Sequence, residues 1–394
     1  MPTTRPPVPR TVWALGLVSL FMDLSSETIH ALLPLFLTVT LGASVALVGL
    51  IDGLAEATAS IAKVFSGYLS DRLRKRKALI LIGYGLGAVT KPLFALAASP
   101  AVVFGARFAD RIGKGLRGAP RDALVADVTP TEIRGRAFGL RQSLDTVGAF
   151  AGPLLAIGLM VLFANDIRMV FWIAAIPAAL AVACVVFGVE DAPVAIAPVA
   201  APPIRLIDLM RLPHAFWTVT LVGMAFTLAR FSEAFLILKA SAEGLPLALA
   251  PLVLVVMNIV YALGAYPAGI WSDRVPARWL FGWGLIALIA ADLSLGLAPG
   301  VGGTFLGIAL WGVHMAMTQG LLAKLVADHA PADLRGSAFG AFNLITGIAM
   351  LSASVIAGLV WARFGANATF LVGAGFAALA LLIAAQLKAA AETI

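Results

Sequence analysis

Apolar runs of bilayer-spanning length follow one another from end to end of this chain, and they restrict its backbone more than any other feature. A hydrocarbon core cannot satisfy backbone N–H and C=O groups, so runs of about 20 residues must close their hydrogen bonds internally as helices. The alternating pattern of a membrane barrel is absent. Spans are predicted at 12–38, 45–70, 77–98, 100–127, 135–163, 167–189, 213–240, 246–272, 277–298, 301–328, 336–363 and 367–388. The expected fold class is an all-α membrane protein of twelve transmembrane helices. With 61% hydrophobic and 12% charged residues, the chain lacks the wettable surface of a soluble domain of 394 residues.

The chain also repeats itself. Leu124-Val-Ala-Asp127, with Pro130, Arg134-Gly135 and Phe138-Gly139, is echoed by Leu325-Val-Ala-Asp328, with Pro331, Arg335-Gly336 and Phe339-Gly340. Gly67-Tyr-Leu-Ser-Asp71-Arg72 recurs as Gly269-Ile-Trp-Ser-Asp273-Arg274 at nearly the same offset. A tandem duplication within an apolar chain points to two pseudo-symmetric six-helix bundles with a working site between them. The division is read as an N-terminal bundle 1–189, a Pro-rich cytoplasmic linker 190–212 and a C-terminal bundle 213–394.

Charge placement sets the orientation. Arg72, Arg74, Lys75, Arg76 and Lys77 follow span 2, Arg134 and Arg136 follow span 4, Arg205 and Arg211 lie in the linker, and Arg274 and Arg278 follow span 8. The loops Leu41–Val45 and Pro299–Gly303 carry no Lys or Arg. By the positive-inside rule both termini are expected to be cytoplasmic, in a multi-pass protein of a bacterial-type inner membrane. The net charge of +7 therefore reports topology, and no nucleic-acid partner is expected. Arg5 and Arg10 precede an apolar run too long for a signal h-region, so that run is read as the first span. Cys184 is the only cysteine, which rules out an intrachain disulfide.

Gly67-x-Leu-x-Asp71-Arg72 with the following basic residues resembles the loop 2–3 motif of the major facilitator superfamily, although Arg74 stands where a glycine is usual. Gly269, Asp273 and Arg274 form a weaker second copy. Gly139-x8-Gly148-x3-Gly152-Pro153 resembles the fifth-helix stretch of that superfamily's proton-driven exporters, with Ala156-Ile157 replacing its last glycine pair. Arg111-Ile-Gly-Lys-Gly115 is similar to the fourth-helix motif whose arginine is associated with proton coupling. The resemblance covers essentially the whole chain. It implies the twelve-helix fold, alternating access, and gating roles for Gly67, Asp71, Arg72, Gly148, Gly152, Pro153, Gly269, Asp273 and Arg274. Physically, a small residue permits close helix approach and an Asp at a helix end can pair with a neighbouring cation or helix terminus.

An ionisable group at mid-bilayer costs on the order of 3 kcal/mol, so those retained mark a wet or paired interior. Span 1 carries Asp23, Glu27 and His30 at i, i+4 and i+7, one helical face, suited to proton exchange or to a cation. Arg107, Asp110, Arg111, Lys114, Arg117, Arg121 and Asp122 fall within about a 120° arc of span 4, with Arg111 and Lys114 expected to lie deepest. Asp52, Glu56 and Lys63 lie on span 2, Arg141 and Asp145 are spaced for an i, i+4 pair, and Arg230 and Glu233 for an i, i+3 pair. Asp23, Glu27, His30, Asp52, Glu56, Arg111, Lys114, Arg117, Arg141, Asp145, Arg230 and Glu233 are thus the candidate residues for substrate and proton coupling. His314 reads as a satisfied core histidine. The C-terminal half is expected to supply an apolar wall.

No P-loop, nucleotide fingerprint, zinc-protease helix or Cys cluster is present, so no enzyme activity and no cofactor beyond the proton gradient are expected. The sequence reading is a proton-coupled exporter of a small organic solute, embedded in lipid and acting as a monomer. Within transporters the alternatives are export of a divalent metal through Asp23, Glu27 and His30, or transport of an organic anion. A lipid scramblase or a receptor on the same scaffold is the alternative outside transport.

Overall fold

A computed structural model describes residues 6–73, 75–191, 209–318, 322, 325–326, 329–331 and 334–391. Twelve spans follow in order: α1 (Arg10–His30), α2 (Val45–Leu73), α3 (Arg76–Leu96), α4 (Pro100–Val128), α5 (Arg134–Leu162), α6 (Ile167–Gly188), α7 (His214–Ala229), α8 (Leu252–Arg274), α9 (Ala277–Leu297), α10 (Gly300–Thr318), α11 (Arg335–Phe364) and α12 (Ala366–Ala391). No strand occurs among the described residues. Eleven of these spans are long and apolar enough to cross a bilayer, α4 being the exception because of its charges. The protein is an integral, multi-pass membrane protein.

Local chemistry sets the ends. Pro100 opens α4, where its missing N–H is not needed. Asp166 caps α6 by accepting from Arg168 N and Met169 N at 2.9 and 3.2 Å. Two spans are broken rather than continuous. After His30 span 1 resumes only as Leu33–Leu35 and a π-turn over Phe36–Thr40, since Pro34 cannot join the helical ladder. Span 7 opens at Arg230–Glu233 and resumes over Ala234–Ala242 without any Pro or Gly at the break. There Ser232 Oγ accepts from Ala234 N at 3.1 Å and donates to Asp52 at 2.6 Å, which holds the interruption.

By its contacts the chain divides into two units, Met1–Leu33 with Thr58–Pro203 and Pro34–Ala57 with Ile204–Ile394. In the first, α1 packs on α5 and α6, and α3 on α4 and α6. In the second, α7 packs on α11 and α12, and α9 on α10 and α12. The duplication in the sequence is therefore a duplication of packing, giving two pseudo-symmetric bundles. Arg76, Lys77 and Asp191 are tied down: Arg76 Nε lies 2.6 Å from Asp127 Oδ2, and Asp191 accepts from Lys77 N at 2.7 Å. Arg5, Arg74, linker positions 192–208 including Arg205, and Asp328 lie outside the described residues, as do the side chains of Asp71, Asp273, Arg278 and Arg335.

In the second unit Lys239 is almost wholly buried and donates to Glu243 and to Asn367 Oδ1 (2.7 Å), while Glu243 also accepts from Gly300 N at 2.7 Å. This lock ties the end of span 7 to the starts of α10 and α12. Glu243 lies beyond the span, and the hydrogen bond from Lys239 followed by that from Gly300 holds its carboxyl below the usual range. A depressed folded-state value contributes stability above the unfolded pKa of about 4.3, which is lost as pH falls through the folded value. In thermal unfolding, the wild type is expected to exceed Glu243→Gln at neutral pH, and the gap to close on acidification.

Candidate functional site

The first unit gathers its charges on the inner faces of α1, α3, α4 and α5. On α4, Arg107, Asp110, Arg111 and Arg117 are all buried, while Val102 and Phe108 on the other side are about two-fifths exposed (43% and 39%). The predicted charged arc is real, and it faces protein. Its centre is Asp110. Lys91 Nζ on α3 lies 2.9 Å from Asp110 Oδ1 and donates to Ser26 Oγ of α1, also at 2.9 Å. Arg111 Nε is 3.9 Å from the other oxygen, and the Arg117 guanidinium stacks 4.5 Å above the Tyr84 ring. One carboxylate thus has four cationic neighbours: Lys91, Arg111, Arg117 and Arg107. Close approach makes this possible. A Cβ on Gly113 would come within 2.6 Å of Gly83 O, so α3 and α4 meet backbone to backbone.

About three turns beyond Asp110 on α4, and across to α5, two arginines share two aspartates. Arg121 reaches Asp122 (3.1 Å), Asp145 (3.6 Å), Ser19 Oγ (2.9 Å) and the Tyr84 hydroxyl (3.3 Å). Arg141 lies 3.5 Å from Asp145, the i, i+4 spacing read from the sequence, and 3.8 Å from Asp122. The square joins α1, α3, α4 and α5.

On α1 Glu27 pairs with His30 Nδ1 at 3.3 Å. Asp23, one turn earlier and half-buried, makes no hydrogen bond or ion pair among the described residues. Its charged neighbours are Asp145, Lys114, Arg117 and Glu27. Among the described residues no three His, Cys, Asp or Glu side chains converge as a metal site, so Asp23, Glu27 and His30 share a helical face without closing into one ligand set. Lys114, expected to be among the deepest charges, is the exposed member of the α4 stripe, and Lys63 on α2 is exposed as well. With 100° per residue, Lys114 falls between the buried Asp110 and Arg107 on the same face, so helical phase alone does not account for its exposure.

The other candidates fall in the second unit. Asp52 is buried on Ser232, Glu56 lies one turn on and half-buried, and Arg230 Nη2 is 3.6 Å from Glu233. Gly148 and Gly152 of α5 face α1: a Cβ on Gly152 would meet Glu27 Cβ at 2.7 Å and Leu24 O and Thr28 N at 3.0 Å. Thr28 Oγ1 donates to Gly152 O at 3.1 Å, and Pro153 lies inside the same helix. The loop-motif glycines behave otherwise. A Cβ on Gly67 would make an ordinary 3.5 Å contact with Ala119, and one on Gly269 would meet nothing within 4 Å. Arg72 donates to the Tyr68 hydroxyl at 3.3 Å, and Arg274 is exposed.

Sequence reasoning missed Lys91, Lys239 and Asp292, each fully or almost fully buried (1%, 1% and 0% exposed). The available signal was a single ionisable residue inside an otherwise apolar run. The second unit is accordingly not the plain apolar wall expected of it. His314 does sit in the core, its Nδ1 within 2.8 Å of Gly284 O.

The sequence profile of the Major Facilitator Superfamily matches residues 15–259 and 234–391. The chain is 32% identical over 384 residues to an uncharacterized MFS-type transporter of Methanocaldococcus jannaschii, covering 95% of this chain and 94% of that one. It is 27% identical over 327 residues to the multidrug resistance protein MdtH of Klebsiella pneumoniae, covering 82% and 78%. The solved nucleoside transporter NupG is similar in fold, with a TM-score of 0.79 at 15% identity over 96% of this chain and 99% of that one. With twelve spans in two repeated bundles and a profile match along nearly its whole length, the chain belongs to the Major Facilitator Superfamily and is a membrane transporter.

Proposed function

We propose that this transporter exports a small organic solute in exchange for protons by alternating access, with Asp23 as the proton-carrying carboxyl. The observation that supports Asp23 is its lack of a partner. Glu27 is engaged by His30, Asp110 by Lys91, and Asp145 by Arg121 and Arg141. A half-buried carboxylate without such a partner gains most from taking up a proton, and Lys114 and Arg117 nearby set how readily it gives one back. The glycine-lined seam between α5 and α1 carries Glu27 and lies one turn from Asp23, which couples the helix–helix contact to the titrating residue. Export is favoured by the exporter-like pattern of Gly139, Gly148, Gly152 and Pro153, and by the similarity to a protein named for multidrug resistance. Energy comes from the proton gradient without a further cofactor, the working form is a monomer, and both termini face the cytoplasm.

The test is flux in proteoliposomes under an imposed pH gradient, with a panel of organic solutes. Asp23→Asn is expected to abolish acceleration by the gradient while leaving solute counterflow measurable; Glu27→Gln is expected to weaken coupling only in part. Undiminished gradient-driven flux in Asp23→Asn refutes the assignment.

A second reading is supported by the surplus of cations on α4 and the exposure of Lys114: the solute is an organic anion. In that case Lys114→Ala raises the half-saturation concentration for anionic solutes and leaves cationic ones unchanged.

A further inference from the structure

The offset of 201 residues that relates Asp127 to Asp328 also relates Lys91 to Asp292 and Asp110 to Trp311. The packing keeps the same register. Gly83 faces Gly113 O across α3 and α4, and their counterparts Gly284 and His314 O face each other across α9 and α10. The second unit has therefore replaced the buried Lys91–Asp110 pair by an aspartate and a tryptophan. Asp292 is wholly buried, and neither of its carboxyl oxygens has a hydrogen-bond partner among the described residues; Trp311 Nε1 is likewise buried without one. The carboxyl lies against Gly373, where an added Cβ would come within 2.7 Å of Asp292 Oδ2 and 2.9 Å of Phe231 Cε1. Phe231 in turn packs on Trp311 and Phe370, with ring centroids 5.7 and 5.5 Å apart.

Among the described residues no ion pair or hydrogen bond reaches it. The elements packed on α9 are α8, α10 and α12; the titratable groups they bring within the described spans are His314, whose Nδ1 is held at Gly284 O, the half-buried Tyr261 and the exposed Tyr266. Arg230 pairs with Glu233 on the neighbouring span 7, and Lys239 is bound to Glu243 and Asn367. The Arg274 end of α8 is exposed. An ionised carboxylate in aromatic surroundings with neither hydrogen bond nor counterion is the costliest state this group has, whereas a proton neutralises it and needs no added room.

We infer that Asp292 is a proton-binding site of the second unit, distinct from the α1 carboxylates. In this conformation the group is a neutral carboxylic acid. When rearrangement of the unit admits water, the O–H bond breaks, the proton leaves on water as hydronium, and the carboxylate remains until it is reprotonated. The repeat thus carries a fixed ion pair in its first copy and a titrating acid in its second.

Infrared difference spectroscopy of the full-length protein in detergent or nanodiscs, without solute or gradient, tests this separately from the export reading. At neutral pH the wild type is expected to show a C=O band of a protonated buried carboxyl that Asp292→Asn removes and Asp23→Asn leaves. Alkaline titration of Asp292→Asn should release one proton per chain fewer. Because an amide matches the neutral acid in shape, Asp292→Asn is expected to unfold at the wild-type temperature. If that variant does not fold, Asp292→Glu serves instead, and the band should shift in position. An unchanged band in Asp292→Asn or Asp292→Glu overturns the inference, as does wild-type stability that rises with sodium and not with protons.

Discussion

Asp110→Ala is expected to be the most damaging single polar substitution in this protein, costing about 3–5 kcal/mol of stability, the range for breaking a buried ion pair from one side. Lys91→Met is expected to cost clearly less. The asymmetry follows from counting charges around α4. Asp110 is one anion among Lys91, Arg107, Arg111 and Arg117. Removing it takes from four buried cations the one counterion they share. Removing Lys91 leaves Asp110 with Arg111 still at 3.9 Å and lowers the positive excess. Thermal unfolding of the two variants in the same detergent gives the comparison. Equal losses, or a greater loss in Lys91→Met, would show that the Lys91–Asp110 contact matters as an isolated pair and that the surrounding arginines are neutralised elsewhere.

That contact also marks where reading the sequence stops. Interactions set by the helical repeat were legible before any coordinates: Glu27 with His30, Arg141 with Asp145 and Arg230 with Glu233 are all three or four residues apart. The spans and the repeat were legible for the same reason, since length, hydropathy and offset are properties of the string itself. Lys91–Asp110, Arg121–Ser19 and Ser232–Asp52 join residues 19, 102 and 180 positions apart, and nothing in periodicity selects such partners. Lys91 and Asp292 had a weaker signature, a lone charge in an apolar run, whose meaning appears only when the two are compared as copies of one position. The break in span 7 was hidden too. Pro34 announces the break in span 1, but the one at Arg230–Glu233 comes from Ser232 capping the next segment under the hold of Asp52, a residue of another helix.

The glycines show the same divide, and they carry the second large effect. Gly152→Val is expected to destabilise the protein by about 1–3 kcal/mol and to abolish transport, because its side chain would have to displace α1. The obstacles are Leu24 O and Thr28 N at 3.0 Å and Glu27 Cβ at 2.7 Å; two of the three are backbone and cannot rotate away. Gly148 meets α1 in the same manner, with Leu20 Cα at 3.0 Å from the added carbon. Gly269, although it belongs to a motif that reads equally well in sequence, has nothing within 4 Å of that position. Gly269→Ala is therefore expected to be neutral, or stabilising by up to about 1 kcal/mol through helix propensity. Unfolding temperature and proteoliposome flux measured on the two variants together separate a packing role from mere occurrence in a motif. Wild-type flux in Gly152→Val would mean that α1 and α5 do not need to stay in contact during the cycle, and the coupling of that seam to Asp23 would fall with it.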